Sequence, residues 1–315
     1  MKNKKLKAVL IICCVALAIA AAINTVSAQQ LGITYLYNLS DFNGTIPFYG
    51  GRLSVDYERN ELYVIYGNSV RVFNDKGMEI YSFGDDSDIG QLIDLAIDNE
   101  GKILLLTYKD KEFSILSCNY RGTPEEPIEI KNLPAEFSAF SPNRMVYGGG
   151  NLYLLSQSGL MIVVTDRKGN FKKAYDLARA LEIKEEEKKD KQVDGFNVDK
   201  KGNIFFTIPV LFSVYEFSHD GNISSFGRVG SASGNFGVVS GIAKSDNGDF
   251  YVVDKLKNAV MVFDKNYNYL TEFGGRGLKP GNLTGPSDII IDGMNRVYVT
   301  QQRGRGVSVF NLSFN

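Results

Sequence analysis

Histidine and tryptophan are nearly missing from this 315-residue chain, which has one His and no Trp. A single imidazole excludes a multi-His metal site and any His pair in proton transfer. Cysteine is scarce too. Cys13 and Cys14 lie in an N-terminal apolar run, and Cys118 alone stands outside it. One thiol forms no internal disulfide, so the fold must rest on its core. No Cys-x-x-Cys-His occurs, which excludes haem attached through that motif. Excess positive charge is also absent. The whole chain carries 35 Lys+Arg against 36 Asp+Glu, and four of those Lys lie in the first 28 residues, which hold no acid. The remainder has 31 bases and 36 acids, a net −5. General nucleic-acid binding needs the opposite balance. What the chain does have is 44% apolar residues, 20 Phe, 17 Tyr and 32 Gly, a mix that suits short strands joined by tight turns.

The N-terminus reads as an export signal. Lys2, Lys4, Lys5 and Lys7 precede an apolar run from Ala8 to Ile23, and Val26-Ser27-Ala28 supplies small residues before Gln29. The run is shorter than the ~20 residues that span a bilayer as a helix. Cleavage after Ala28 is therefore expected, the alternative being an uncleaved membrane anchor over residues 8–23. Cys13 and Cys14 sit inside the run rather than at its end, so neither is placed for lipidation, and both leave with the signal. Residues 29–315 remain to fold.

That remainder repeats. The triplets Leu62-Tyr63-Val64, Ile103-Leu104-Leu105, Leu152-Tyr153-Leu154, Ile204-Phe205-Phe206, Phe250-Tyr251-Val252 and Val297-Tyr298-Val299 recur every 40–50 residues or so. Most follow an apolar strand and a turn rich in Asp, Asn and Gly, such as Ile97-Asp98-Asn99-Glu100-Gly101 or Val198-Asp199-Lys200-Lys201-Gly202-Asn203. Each pair reads as a β-hairpin. Third strands are expected near Val70–Asn74, Phe113–Ser117, Met161–Asp166, Val214–Ser218, Val260–Asp264 and Val307–Asn311. Fourth strands include Glu79–Phe83, Ile223–Phe226 and Tyr269–Phe273. Four antiparallel strands at this period predict an all-β, six-bladed β-propeller. The last repeat ends at Asn315 without a fourth strand, while Ile33–Leu39 is a strand to spare before the first repeat. It is predicted to complete the sixth blade and close the ring. Tyr175–Gln192 breaks the pattern. Its acids lead its bases at i, i+3 and i, i+4 spacing, which predicts an exposed helical insertion between the third and fourth blades.

Two linkers narrow the comparison. Phe226-Gly227-Arg228-Val229-Gly230 leads to Gly234-Asn235-Phe236, and Phe273-Gly274-Gly275-Arg276-Gly277 leads to Pro280-Gly281-Asn282-Leu283. The second continues through Gly285-Pro286-Ser287-Asp288 and Ile289-Ile290-Ile291-Asp292 to the Val297-Tyr298-Val299 strand. With Val262-Phe263 and Val309-Phe310 closing the units, this resembles the NHL-repeat family, specifically over 223–310 and more loosely over 50–220. The family's Asp-x-x-Asn-x-Arg turn survives only as an echo at Asp254 and Asn258. The resemblance implies a six-bladed propeller that binds proteins. Some members bind RNA, and some relatives are lyases or lactonases.

In a propeller, the innermost strand of each blade begins at one mouth of the central channel. Counting back from the hairpin turns puts Arg52, Asp94, Arg144, Asp194, Ser240 and Asp288 at that mouth. Asp94, Asp194 and Asp288 come from alternate blades and are the candidate metal ligands. Three carboxylates with a hydroxyl and backbone oxygens suit Ca²⁺, the one cofactor the pattern admits. Arg52, Arg144 and Ser240 are the candidate binding residues, and both arginines could instead pair with the acids. The lactonase relatives use a Glu/Asn/Asp calcium site, and the predicted ring has no Glu. His219 lies in a polar turn between outer strands, away from the channel. Cys118 ends a strand with no His beside it and reads as inert. Gly274–Gly277 opens no helix and Gly148–Gly150 is a hairpin turn, so neither cradles phosphate. Asn-x-Ser/Thr sequons at Asn38, Asn43, Asn222, Asn282 and Asn311 mark surface loops.

These features lead to one expectation and one alternative. The expectation is an exported, non-catalytic propeller, periplasmic, cell-surface or extracellular, that binds a protein, peptide or cell-envelope component on one rim. It touches a membrane only if residues 8–23 are retained. The alternative is a calcium-dependent hydrolase or lyase working at the channel mouth.

Overall fold

The hairpins of the chain turn on one recurring device. A side-chain oxygen on the residue entering the turn accepts the backbone N–H groups two and four residues on. Asp98 does so for Glu100 and Lys102, Asn119 for Arg121 and Thr123, Asp199 for Lys201 and Asn203, and Asp264 for Asn266 and Asn268. The residue three past the acceptor has φ near +75°, as at Gly101 and Gly202, so glycine is the cheapest occupant. Asn295 and Tyr267 adopt the same conformation at the equivalent positions.

The computed structural model describes residues 31–41, 43–46, 51–85, 89–302 and 305–314. The N-terminal segment read as an export signal lies outside them. Among the described residues no helix is long and apolar enough to cross a membrane. Residues 33–312 form one body, a six-bladed β-propeller of four-stranded antiparallel blades. The first blade holds β2 (Leu53–Asp56), β3 (Glu61–Tyr66), β4 (Ser69–Phe73) and β5 (Glu79–Phe83). The second holds β6 (Gln91–Ile97), β7 (Ile103–Lys109), β8 (Glu112–Cys118) and β9 (Pro124–Pro127). The third is β10 (Arg144–Gly148), β11 (Asn151–Ser156), β12 (Met161–Asp166) and β13 (Phe171–Asp176), and the fourth β14 (Phe196–Val198), β15 (Ile204–Ile208), β16 (Ser213–Phe217) and β17 (Ile223–Phe226). The fifth is β18 (Val239–Lys244), β19 (Phe250–Asp254), β20 (Ala259–Phe263) and β21 (Tyr269–Gly274). The sixth has β22 (Ile289–Ile291), β23 (Arg296–Thr300) and β24 (Val307–Phe314), and its outer strand is β1 (Leu31–Asn38).

The spare strand of the sequence thus closes the ring. Leu39 just beyond it is fully buried, its N–H bonded to the Val307 carbonyl at 2.9 Å. Asn38 accepts from Tyr35 and Ser308 and donates to the Arg305 carbonyl, which ties the first strand to the last by side chains as well as backbone.

The triplets become the second strands β3, β7, β11, β15, β19 and β23, which are buried because both faces of a blade pack on neighbours. The core consequently lies between blades. Tyr63, Val70, Leu95 and Ile103 join the first and second, Phe205, Val214, Phe250 and Met261 the fourth and fifth, and Val64, Phe73, Tyr298 and Val309 the sixth and first. Inner strands neighbour one another in the cyclic order β2, β6, β10, β14, β18, β22 and back to β2. All six begin at one face of the disc, which also carries the linkers between blades.

The segment between the third and fourth blades differs from the single exposed helix expected. Asp176 caps a one-turn helix, α1 (Leu177–Ala180), by accepting the Arg179 N–H at 2.9 Å. Glu182 then takes φ of 54° and Ile183 bonds back to the Ala178 carbonyl, which ends the helix in a left-handed cap. A second turn, α2 (Glu185–Lys188), carries the charge run. Leu177 and Ala178 are buried against the core of the third and fourth blades, so the segment is pinned at its start. The outer strands β9 and β13 have no clear sequence pattern. No residue of either strand is fully buried, and β9 is exposed throughout.

Candidate functional site

The six residues counted to the channel mouth meet there as a hydrogen-bonded and ionic network. Arg144 begins an inner strand, Arg52 and Asp288 immediately precede one, Asp194 stands two residues before one, and Asp94 and Ser240 lie within theirs. A buried hydroxyl on a second strand fixes two of these segments. Thr207 Oγ1 accepts the Gly195 N–H at 2.8 Å and donates to the Ser240 carbonyl at 2.7 Å, and Thr300 Oγ1 accepts the Asp288 N–H at 2.8 Å. Gly195 and Gly241 allow neighbouring inner strands to touch here. A Cβ on Gly195 would meet the Ser240 carbonyl oxygen at 2.2 Å, and one on Gly241 the Ser287 carbonyl oxygen at 2.7 Å.

Arg144 is the hub. Its Nε donates to Asp94 Oδ2 at 3.0 Å, its Nη1 donates to the Asp194 carbonyl at 3.1 Å, and its Nη2 stands 3.8 Å from Asp288 Oδ2. Asp94 is also held by the backbone N–H groups of Met145 and Leu95. Burial opposes the charge on Arg144, but Asp94 and Asp288 outweigh it and raise its pKa. Ser240 Oγ lies 2.7 Å from the Ser287 carbonyl and 3.0 Å from Asp194 Oδ2. Lys255 Nζ closes on that same carboxylate oxygen at 2.6 Å. Arg52 Nη1 faces Asp288 Oδ2 at 3.9 Å.

Three acids are therefore met by three cations, Arg52, Arg144 and Lys255. Lys255 was not among the residues read from sequence. Its signal was the Asp254-Lys255 pair one step past the end of a triplet strand, which returns to the same face. The recurring Thr after the triplets, at Thr207 and Thr300, was the other overlooked signal.

The arrangement does not suit Ca²⁺. The Arg144 guanidinium stands among the three aspartates where a cation would have to lie, and their oxygens are directed to it, to Ser240, to Lys255 and to backbone N–H groups. Among the described residues no three His, Cys, Asp or Glu side chains gather closely enough to hold a metal ion.

Below the network runs a cavity of about 720 Å³, lined at one end by Asp94, Arg144 and Asp288 and at the other by the hairpin turns after the inner strands. Tyr57 and Lys200, from opposite blades, meet across that far end, with Nζ 5.6 Å from the ring centroid. The Tyr57 hydroxyl donates to the Ile291 carbonyl at 3.2 Å, and Lys200 pairs with Asp246. A second recess, of about 730 Å³, lies on the inner-strand face between the fourth and fifth blades, with Phe212, Val229, Phe236, Leu256, Lys257 and Phe273 in its walls.

The remaining candidates lie elsewhere. His219 occupies an exposed turn on the opposite face, its Nε2 3.0 Å from Asp220. Cys118 is fully buried, and burial pushes its thiol up to about 12. Gly274–Gly277 forms a blade-joining linker in which the Leu283 N–H bonds to the Gly275 carbonyl.

Residues 232–315 match the family DUF5128, described as a 6-bladed beta-propeller. By structure the chain is a six-bladed β-propeller, and the matched segment carries the same description. No curated protein matches it. Among solved structures, a protein of unknown function from Bacteroides thetaiotaomicron superposes with a TM-score of 0.64 at 14% identity, over 90% of this chain and 76% of that one. Virginiamycin B lyase from Staphylococcus aureus gives 0.58 at 12% identity over 90% and 100% of the two chains. A gluconolactonase from Xanthomonas campestris gives 0.57 at 12% identity over 92% and 93%. Such identities establish a shared propeller fold and carry no activity across.

Proposed function

We propose that this chain is an exported binding propeller of NHL type that takes an acidic, partly apolar segment of another polypeptide on its inner-strand face. One observation carries the reading. Val210, Val229, Leu256 and Leu278, each more than half exposed, project from successive connections of the fourth to sixth blades, all on that face. Large apolar side chains gathered on one face mark an interaction surface. The second recess lies among them. Arg228, Arg276 and Lys279 stand exposed on the same linkers, with no ion pair among the described residues. An occupant with apolar and acidic side chains fits both features.

The two linkers also support the NHL-type reading. Gly230 and Gly277 share φ near 150°, Gly234 and Gly281 share φ of 78° and 83°, and each linker closes with a short parallel bridge, Val229 with Phe236 and Arg276 with Leu283. Binding rather than catalysis is favoured by the mouth itself, where each aspartate already engages a cation. Display of a random peptide library tests the proposal. Sequences enriched on the wild-type protein should combine acidic and large apolar residues and bind in calorimetry. They should lose about tenfold or more in affinity against Val229→Asp/Leu256→Asp. Equal enrichment on that variant, or none on wild type, would refute the assignment.

A further inference from the structure

The channel mouth is electrically neutral by formal count, and two of its three cations, Lys255 and Arg52, are its most exposed charges while Arg144 is buried. Side-chain exposure falls from Lys255 at 35% and Arg52 at 28% to Asp194 at 20%, Asp288 at 10% and Asp94 at 3%. A solute approaching the mouth therefore meets positive charge first, with the balancing acids set behind it. The two outward cations differ in their engagement. Lys255 is fixed at 2.6 Å on Asp194. The Arg52 guanidinium makes no hydrogen bond among the described residues, and its one carboxylate neighbour stands at 3.9 Å. Arg144 approaches the same Asp288 oxygen at 3.8 Å, so two guanidinium groups share one oxygen without either reaching hydrogen-bond distance.

We infer that the channel mouth is a carboxylate-binding subsite in which Arg52 supplies the planar two-donor fork and Lys255 a second positive charge. Guanidinium matches carboxylate in a bidentate geometry that ammonium cannot reproduce. Partial burial and the adjacent Arg144 charge both depress the Arg52 pKa, with Asp288 only partly offsetting them, and an arriving anion relieves that strain. Inorganic sulfate and phosphate are poorer matches, since a tetrahedral dianion would crowd Asp288 and Asp194 with a second negative charge. The inference deepens the polypeptide-binding proposal. The mouth opens on the face that bears the apolar recess, so a segment lying in the recess can deliver a C-terminal or side-chain carboxylate to Arg52.

Calorimetry of the purified protein at low ionic strength tests this with N-acetyl-Phe-Glu-Leu bearing a free C-terminus, its C-terminal amide, and the Gln counterparts of both, with sodium sulfate as the competing ion. Removing the recognised carboxylate should weaken binding about tenfold or more, and whether the amide or the Gln peptide shows the loss identifies its source. Arg52→Met should bind all four peptides equally, and Arg52→Lys should retain only part of the preference. A wild-type protein that ignores the carboxylates, fails to bind any of the peptides, or binds sulfate as well as the acid would overturn the inference, as would an undiminished preference in a folded Arg52→Met. Val229→Asp/Leu256→Asp separates the two proposals. If it weakens all four peptides alike and leaves the acid-to-neutral ratio intact, recess and subsite act independently. If it changes nothing while Arg52→Met abolishes the preference, the subsite stands and the recess does not.

Discussion

Arg144 shows how one side chain can tie together the inner ends of four blades. It reaches the side chain of Asp94, the backbone carbonyl of Asp194 and the vicinity of Asp288, so its loss leaves a buried Asp94 without its cation. Arg144→Met should cost about 3–5 kcal/mol in urea unfolding, because an unpaired buried charge is far more costly than a missing surface pair. Replacing Asp94 by Asn in the same chain should restore part of that loss, which a double-mutant cycle will measure. Cys118 belongs to the same scale. Its folded pKa of about 12 lies above the roughly 8.5 of an unfolded thiol. Below about 8.5 its contribution to stability is therefore complete, and it is lost as pH rises toward 12, because the unfolded chain releases the proton first. Native protein at pH 8 should resist an aromatic disulfide reagent that labels the urea-unfolded chain fully. The stability difference between wild type and Cys118→Ala should shrink from pH 7 to pH 10. The thiol's position at a strand end was readable from sequence, but its burial needed the neighbouring blade.

At the scale of the element, the insertion between the third and fourth blades divides into an anchor and a solvated run. Leu177 and Ala178 pack into the core of two blades. The charges of α2 pair locally, Lys188 with Glu185 at 2.6 Å and Lys191 with Glu187 at 2.7 Å. Leu177→Asp should thus lower stability by about 3 kcal/mol or more, through a lost apolar contact and a buried charge. Replacing Glu185, Glu186, Lys188 and Lys189 with Ser should change it by less than about 1 kcal/mol, since exposed pairs are worth little. Thermal and urea unfolding distinguish the two outcomes. Charge spacing made the helical tendency legible here. The anchor was not, because Leu177 belongs to no repeat of strand period.

For the whole molecule, closure by β1 couples the ends of the chain. A protein beginning at Ser40 loses that strand and Leu39, leaving β24 as an open edge and a gap in the cluster around Val64, Phe73 and Val309. It should melt at a lower temperature than a chain beginning at Gln29, and gel filtration should show association that grows with concentration, because an unpaired edge recruits strands from other molecules. Two-state unfolding of the intact ring should become broader in the truncated one, since terminal blades then open separately.

The amino-acid order by itself determined the period, the turns, the number of blades and the closing strand. Each depends on local chemistry: Asp and Asn carboxyl or amide oxygens accepting nearby N–H groups, glycine at positive φ, and two-residue alternation. The same alternation, counted from the turns, brought Arg52, Asp94, Arg144, Asp194, Ser240 and Asp288 to one mouth. Tertiary structure decided which of them pair. Arg144 and Asp94 are 50 residues apart, and Lys255 and Asp194 are 61 apart. Only the curvature of the closed ring sets such partners at 3 Å rather than 6 Å, a difference no spacing rule encodes. It also decided that Lys255 and Arg52 face outward while the aspartates sit behind them, because exposure depends on how neighbouring blades cover each strand end.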